Sequence, residues 1–173
     1  HHSTWAMLFH PASGRYGIQF KNPKKQDKFG AGRWDSSVGG HNCYIKDKEG
    51  YRPMNFKETL IKETDEEIGL DVTVIDSVQK FVKFSKLPLP KPLAFIFEKF
   101  HYITEHNNEF IGLAFMVTPT TKVEFKDNEV VEFKWLTPQD LDQYLKKETN
   151  YCHPLLVAFA KAEKFRKKYL AKS

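Results

Sequence analysis

Two hydrophobic periods take turns along this chain. Residues 4–9 and 16–20 are apolar runs on either side of the turn Pro11-Ala12-Ser13-Gly14, and they read as paired strands. Residues 95–103, 109–117 and 130–136 are three more apolar runs that predict strands, the first two separated by the turn Glu105-His106-Asn107-Asn108. Residues 72–84 alternate enough to predict a further strand. Three prolines at every second position in residues 87–92 predict an extended surface connection. A helical period stands between the early and late strands: Phe56, Leu60, Thr64 and Ile68 recur at the spacing of one helix face. Thr137 and Pro138 open a second helix as cap and first residue. A last helix, residues 154–171, places Leu155, Ala158, Phe159, Ala162, Phe165 and Tyr169 on one stripe. Strands, an acidic helix, more strands and then helices predict an α/β chain with a mixed sheet flanked by helices.

The first helix carries more acid than a helix needs. Glu63, Glu66 and Glu67 share one sector, because positions i, i+3 and i+4 lie on one face. Like charges at that spacing cost about 0.2–0.5 kcal/mol per pair. Acids also sit badly in a last turn, where the helix dipole favours cations. Gly69 ends the helix directly after them, as a residue that tolerates positive φ. A solvated acidic face offset by Lys57 and Lys62 is one explanation. A bound divalent cation is the other, and magnesium suits such a cluster because it takes a few carboxylates and fills its shell with water and phosphate oxygens.

The surrounding string shifts the balance toward the cation. Residues 62–70, KETDEEIGL, resemble the second half of the Nudix box, G-x5-E-x7-R-E-U-x-E-E-x-G-U with U apolar. Glu63, Glu66, Glu67, Gly69 and Leu70 match it, and Gly40 fits its opening glycine. The lead-in WDSSVGGH, residues 34–41, is similar to that of the branch that includes isopentenyl diphosphate isomerase. The resemblance implies a Nudix α/β/α sandwich over one domain, residues 1–173. It implies that Glu63, Glu66, Glu67 and the Gly40 carbonyl hold Mg2+ or Mn2+, with Glu63 either a ligand or the base that orients water. It also implies hydrolysis of a nucleoside diphosphate linked to another moiety. In this family the base varies, and Glu105, Glu109 and Glu129 are further candidates. His41 is a possible ligand or substrate contact, or a hydrogen-bonded structural residue.

The chain departs from the box in three places. Lys62 stands for arginine, Thr64 for an aliphatic residue and Met54 for the first glutamate. Gly40 and Lys62 are also eight residues farther apart than the motif allows, which marks residues 43–53 as an insertion. Lysine is a poorer planar clamp than arginine. Asp47 or Glu49 in the inserted loop is a candidate substitute for the missing support.

Composition narrows the picture further. The 173 residues, 40% hydrophobic and 14% aromatic, suit one globular domain with a sizeable core. No apolar run is long enough to span a bilayer, so no membrane partner is expected. Cys43 and Cys152 give neither a disulfide framework nor zinc-ligand spacing, which with the absence of a signal-peptide pattern predicts a cytoplasmic protein. The net charge of +5 favours anionic partners, with the excess in residues 21–28 and in the last helix. Its lysines 161, 164, 167 and 168 line the side opposite the apolar stripe, with Lys172 at its end; a solvated amphipathic helix with cations near its C-terminus is the first reading, and an RNA-binding face the second. The lysines of the basic loop 22–32 have two readings, contact with substrate phosphates or, more commonly, solubilising a loop. A homodimer is an expectation from the family.

Three functions compete on these residues. The first is a metal-dependent pyrophosphohydrolase, favoured by the intact glutamates. The second is a Nudix-fold binding module with damaged chemistry, favoured by Met54 and the insertion. The third is an isomerase of the isopentenyl diphosphate type, disfavoured because Gly39 stands where that family has its catalytic cysteine.

Overall fold

The computed structural model describes residues 1–24 and 30–171. Strands β1 (His2–His10) and β2 (Arg15–Lys21) form the expected hairpin, and Gly14, at φ 66°, closes its turn by donating to the His10 carbonyl at 2.9 Å. Two short strands follow, β3 (Trp34–Asp35) beside β2 and β4 (Val38–His41) beside the first half of β1. Strands β5 (Tyr44–Asp47) and β6 (Gly50–Pro53) make a separate two-stranded hairpin, so the inserted residues fold by themselves rather than lengthen the sheet. Helix α1 (Phe56–Ile68), strand β7 (Thr73–Ile75) and helix α2 (Val78–Ser85) come next. Strands β8 (Leu93–Ile103), β9 (Asn108–Val117) and β10 (Val130–Leu136) precede helices α3 (Pro138–Lys147) and α4 (His153–Tyr169).

The large sheet runs β10-β2-β1-β9-β8-β7. It is mixed: β1 pairs β9, and β7 pairs β8, in parallel, while the other pairs are antiparallel. The alternation in β1 shows why it has no polar side. Trp5, Met7 and Phe9 join one buried cluster with Phe81 of α2, Leu141 of α3 and Phe159 and Phe165 of α4. Ala6 and Leu8 join the opposite cluster with Leu60 and Ile68 of α1. A strand covered on both faces reads as a nearly continuous apolar run. The result is the expected α/β/α sandwich, with α1 alone opposite α2, α3 and α4.

One prediction fails. Only residues 73–75 of the expected strand 72–84 are extended; Val78–Ser85 is helical. Val78, Phe81, Val82 and Ser85 stand at i, i+3, i+4 and i+7, and Ser77 caps the helix by accepting from the Lys80 N–H. The short stretch offered both periods, and the aromatic pocket chose. Phe81 is fully buried against Phe95, Phe115 and Phe165. The basic loop expected over 22–32 falls in part on residues 25–29, which lie outside the described residues, as does Lys172. No described helix is long and apolar enough to cross a membrane.

The inserted hairpin is fastened to α1 by one guanidinium. Arg52 donates to both oxygens of Glu58, at 2.8 and 2.7 Å, and to Asp47 at 2.8 Å. Glu58 also accepts from the N–H of Asn55, the N-cap, and so completes a capping box. Arg52, and then the Asn55 N–H, hold the Glu58 carboxyl down at about 2. A depressed carboxylate stabilises the fold above its ordinary value of 4.5 and stops doing so as pH falls through about 2. Thermal melting of the wild type is therefore expected to weaken between those values more steeply than that of Arg52→Met. Parallel pH profiles for the two proteins would refute the coupling.

Candidate active site

Helix α1 begins at the capping box and ends at Gly69, whose φ is 69°. The Gly69 N–H donates to the Asp65 carbonyl at 3.0 Å, and Leu70 N–H to that of Thr64 at 3.3 Å. The segment after β9 covers this helix end: Glu124 N–H donates to the Ile68 carbonyl, and the Lys126 and Asp127 N–H groups to the Glu66 backbone carbonyl. Thr64, where the motif has an aliphatic side chain, is fully buried, and its hydroxyl donates to the Leu60 carbonyl at 2.6 Å. The departure therefore leaves no polar group unmatched.

The last two turns of α1 lie against β4, and the Glu63 side chain is laid over Gly40. A Cβ on Gly40 would come within 2.3 Å of Glu63 Cδ. The register settles which peptide faces the helix. Asn42 N–H donates to the His2 carbonyl, so by antiparallel alternation Gly40 is turned to β1 and Gly39 away from it. Consistently, Gly39 N–H donates to Glu67 Oε2 at 2.9 Å. The backbone edge offered to α1 is thus Gly39's, where the motif had pointed to the Gly40 carbonyl.

Glu67 is completely buried. Its Oε1 accepts from Lys21 Nζ at 2.5 Å and from Gln19 Nε2 at 3.2 Å. Burial pushes the Glu67 carboxyl up, and Lys21 and the Gly39 N–H oppose that push. Burial works equally against the Lys21 ammonium, yet Glu67, with Asp35 and Glu129 behind it, holds the lysine above its ordinary range. Glu63 is 8% exposed and Glu66 lies on the rim. Lys62 Nζ stands between them, 3.1 Å from Glu63 Oε1 and 2.5 Å from Glu66 Oε2. Burial raises the Glu63 carboxyl against the pull of Lys62, and Glu66 and Glu129 add to the rise.

The three predicted glutamates are thus neighbours, but each points at an ammonium. Among the described residues no group of three His, Cys, Asp or Glu side chains is arranged to hold a metal ion. The donor set nevertheless has the right chemistry: hard carboxylate oxygens and a backbone edge, which are what magnesium takes. Gln19 Oε1, buried beside Glu67, has no hydrogen-bond partner among the described residues, and a hydrated cation would supply one.

The remaining candidates separate cleanly. Glu129 is close enough to influence both Glu63 and Lys21. Glu109 faces exposed His41, 3.8 Å away. Glu105 is on the β8–β9 turn, 90% exposed. Asp47 serves Arg52, and Glu49 is exposed in the hairpin turn, so neither supports Lys62. Lys21, Gln19 and Gly39 are contributors that the sequence reading passed over. A signal for two of them exists: Gln19 and Lys21 are the polar positions alternating with Ile18 and Phe20 in a strand covered on both faces.

No protein-family model and no curated sequence matches the chain. Solved structures do. A Nudix-family hydrolase from Clostridium perfringens is 18% identical, with 95% of this chain and 97% of that one covered at a TM-score of 0.58. The Nudix domain of Shewanella oneidensis NrtR, in complex with ADP ribose, is 11% identical over 96% and 86% at 0.59. An Ap4A hydrolase from C. elegans is 12% identical over 96% and 99% at 0.55. The fold is that of the Nudix hydrolases.

Proposed function

We propose that this chain hydrolyses a diphosphate linkage in a nucleotide derivative, with a divalent cation held by Glu63, Glu66 and Glu67. The observation that carries the reading is the packing of the acidic face of α1 against the Gly39-Gly40 strand, with Glu63 laid over Gly40 and the Gly39 N–H donating to Glu67. The nucleotide-derived ligands of two fold neighbours, ADP ribose and Ap4A, support a substrate of that class.

A dianionic linkage repels an incoming water, and a magnesium or manganese ion, when bound, neutralises that charge and lowers the pKa of bound water. This chain's residues do the rest. Gly39, in place of Gly40, offers the backbone edge that faces the acids. Glu63, buried over Gly40, is either a third ligand of that cation or the base that takes the proton from water. Lys21 fixes Glu67 in one position. Glu129 is the acid outside α1 best placed to assist. Substrate selectivity is assigned to the segments outside the motif's shared chemistry, residues 22–32, 43–53 and 86–92.

A second reading has its own observation. Every glutamate of the cluster is already paired with lysine, which suits a site that binds an anionic ligand without turning it over. A panel of dinucleotides, nucleotide sugars and capped nucleotides, assayed with Mg2+ and with Mn2+ for phosphate or nucleotide release, separates the two. Turnover of at least one compound is expected. Ligand binding without turnover across the panel would establish the binding module instead.

A further inference from the structure

We propose that Lys62 is a resident counter-cation which a divalent ion must displace, while Lys21 is one that stays. The inference rests on the proposed role of the acids, and it concerns what already occupies them. Lys62 Nζ bridges Glu63 and Glu66, contacting both carboxylates at hydrogen-bond distance. Its side chain is 35% exposed and, among the described residues, its ion pairs are with those two acids, so rotation of its stem carries it into solvent. Lys21 differs in each respect. It is buried, it springs from a strand inside the sheet, and it sits 2.5 Å from a carboxylate that has no exposure at all.

Occupancy sets the direction. Lys62 Nζ lies at contact distance from both Glu63 and Glu66, the place that a cation shared by the two acids would take. The ammonium therefore competes with the metal, and the substitution of lysine for the arginine of the motif is what makes the competitor mobile. A guanidinium forks across two carboxylates with several fixed donors. A lysine ammonium is a point charge on a flexible stem and leaves more readily.

Manganese binding reads this without catalysis. Free Mn2+ is followed by its electron paramagnetic resonance signal in titrations of the wild type, Lys62→Met and Lys57→Met at one ionic strength. Lys57 is exposed on the same helix, so its removal controls for the loss of one charge from the chain. Lys62→Met is expected to bind Mn2+ at least tenfold more tightly than the wild type. Lys57→Met is expected to stay within about twofold, and saturation to occur at one ion per chain. Equal affinity in the wild type and Lys62→Met, or equal tightening in both variants, overturns the displacement. Two ions per chain overturn the fixed role of Lys21. Absence of Mn2+ binding in all three proteins overturns the metal reading of the site itself, a failure distinct from the others. Melting curves confirm that each variant is folded.

Discussion

Lys21→Met is expected to lose about 3–5 kcal/mol of folding stability, seen as a lower urea midpoint at an unchanged slope. Glu67 has no solvent exposure, and Lys21 supplies its one charged partner among the described residues. Removing the ammonium leaves a carboxylate that must either stay charged in a low-dielectric interior or take up a proton at a cost. Polar partners soften this only in part. Gln19 Nε2 and the Gly39 N–H remain, each a hydrogen bond worth roughly 1–3 kcal/mol to a charged acceptor. The double variant Lys21→Met, Glu67→Met is expected to recover most of the loss, because apolar groups of similar size often replace a buried ion pair without penalty. It will not recover all of it, since Gln19 and Gly39 then lose their acceptor. A single variant within about 1 kcal/mol of the wild type would show that Lys21 and Glu67 are not held together in the folded protein.

That pair also marks where sequence reading stops. Glu63, Glu66 and Glu67 were legible as one face because a helix repeats every few residues, and that period is local. Gly69 was legible as its end for the same reason. What each carboxylate faces was not legible. Lys21 lies 46 positions from Glu67, and Gly39 lies 28 away. The pairing of β2 and β4 with β1, and the seating of α1 on β1 and β4, bring them together. The motif pointed to the Gly40 carbonyl, whereas the backbone edge turned from β1 toward α1 belongs to Gly39. The register of β4, set by Asn42 on His2, is a long-range fact.

The fold was more legible than the site. Each long strand and helix carries a repeat that burial on one or two faces enforces. The misread stretch, residues 72–84, is short enough for Val72 and Val74 to suggest alternation while Val78, Phe81 and Val82 follow a helical period. Phe81 resolves it, because its ring fills the space between β8, β9 and α4. The insertion was legible as extra length but not as a hairpin. Lys46 and Tyr51 pair across it, with the turn closed by Asp47 and Gly50, whose φ is 127°. Arg52, an ordinary surface residue in sequence, turns out to be what joins that hairpin to the helix carrying the acids.

Glu63→Gln is expected to lower the hydrolytic rate by about 10²–10⁴-fold while leaving the melting temperature nearly unchanged. Among the three acids it is the cleanest to test. Glu67→Gln would confound chemistry with folding, because it strips the buried Lys21 of its counter-charge. Glu66 lies on the rim, where solvent can replace part of its role. Glu63 combines burial, contact with Gly40 and neighbouring negative charge from Glu66 and Glu129, and it holds no buried cation in place. Glutamine keeps the side chain's shape and still offers Lys62 an oxygen, so the change removes charge and basicity alone. If Glu63 is the base, the loss falls on kcat with KM steady, and the acidic limb of the kcat profile disappears. If it is a cation ligand, the activity returns in part at raised Mn2+ concentration. Full activity in the variant, with turnover established for the wild type, would remove Glu63 from the mechanism and shift the chemistry to Glu66 and Glu129.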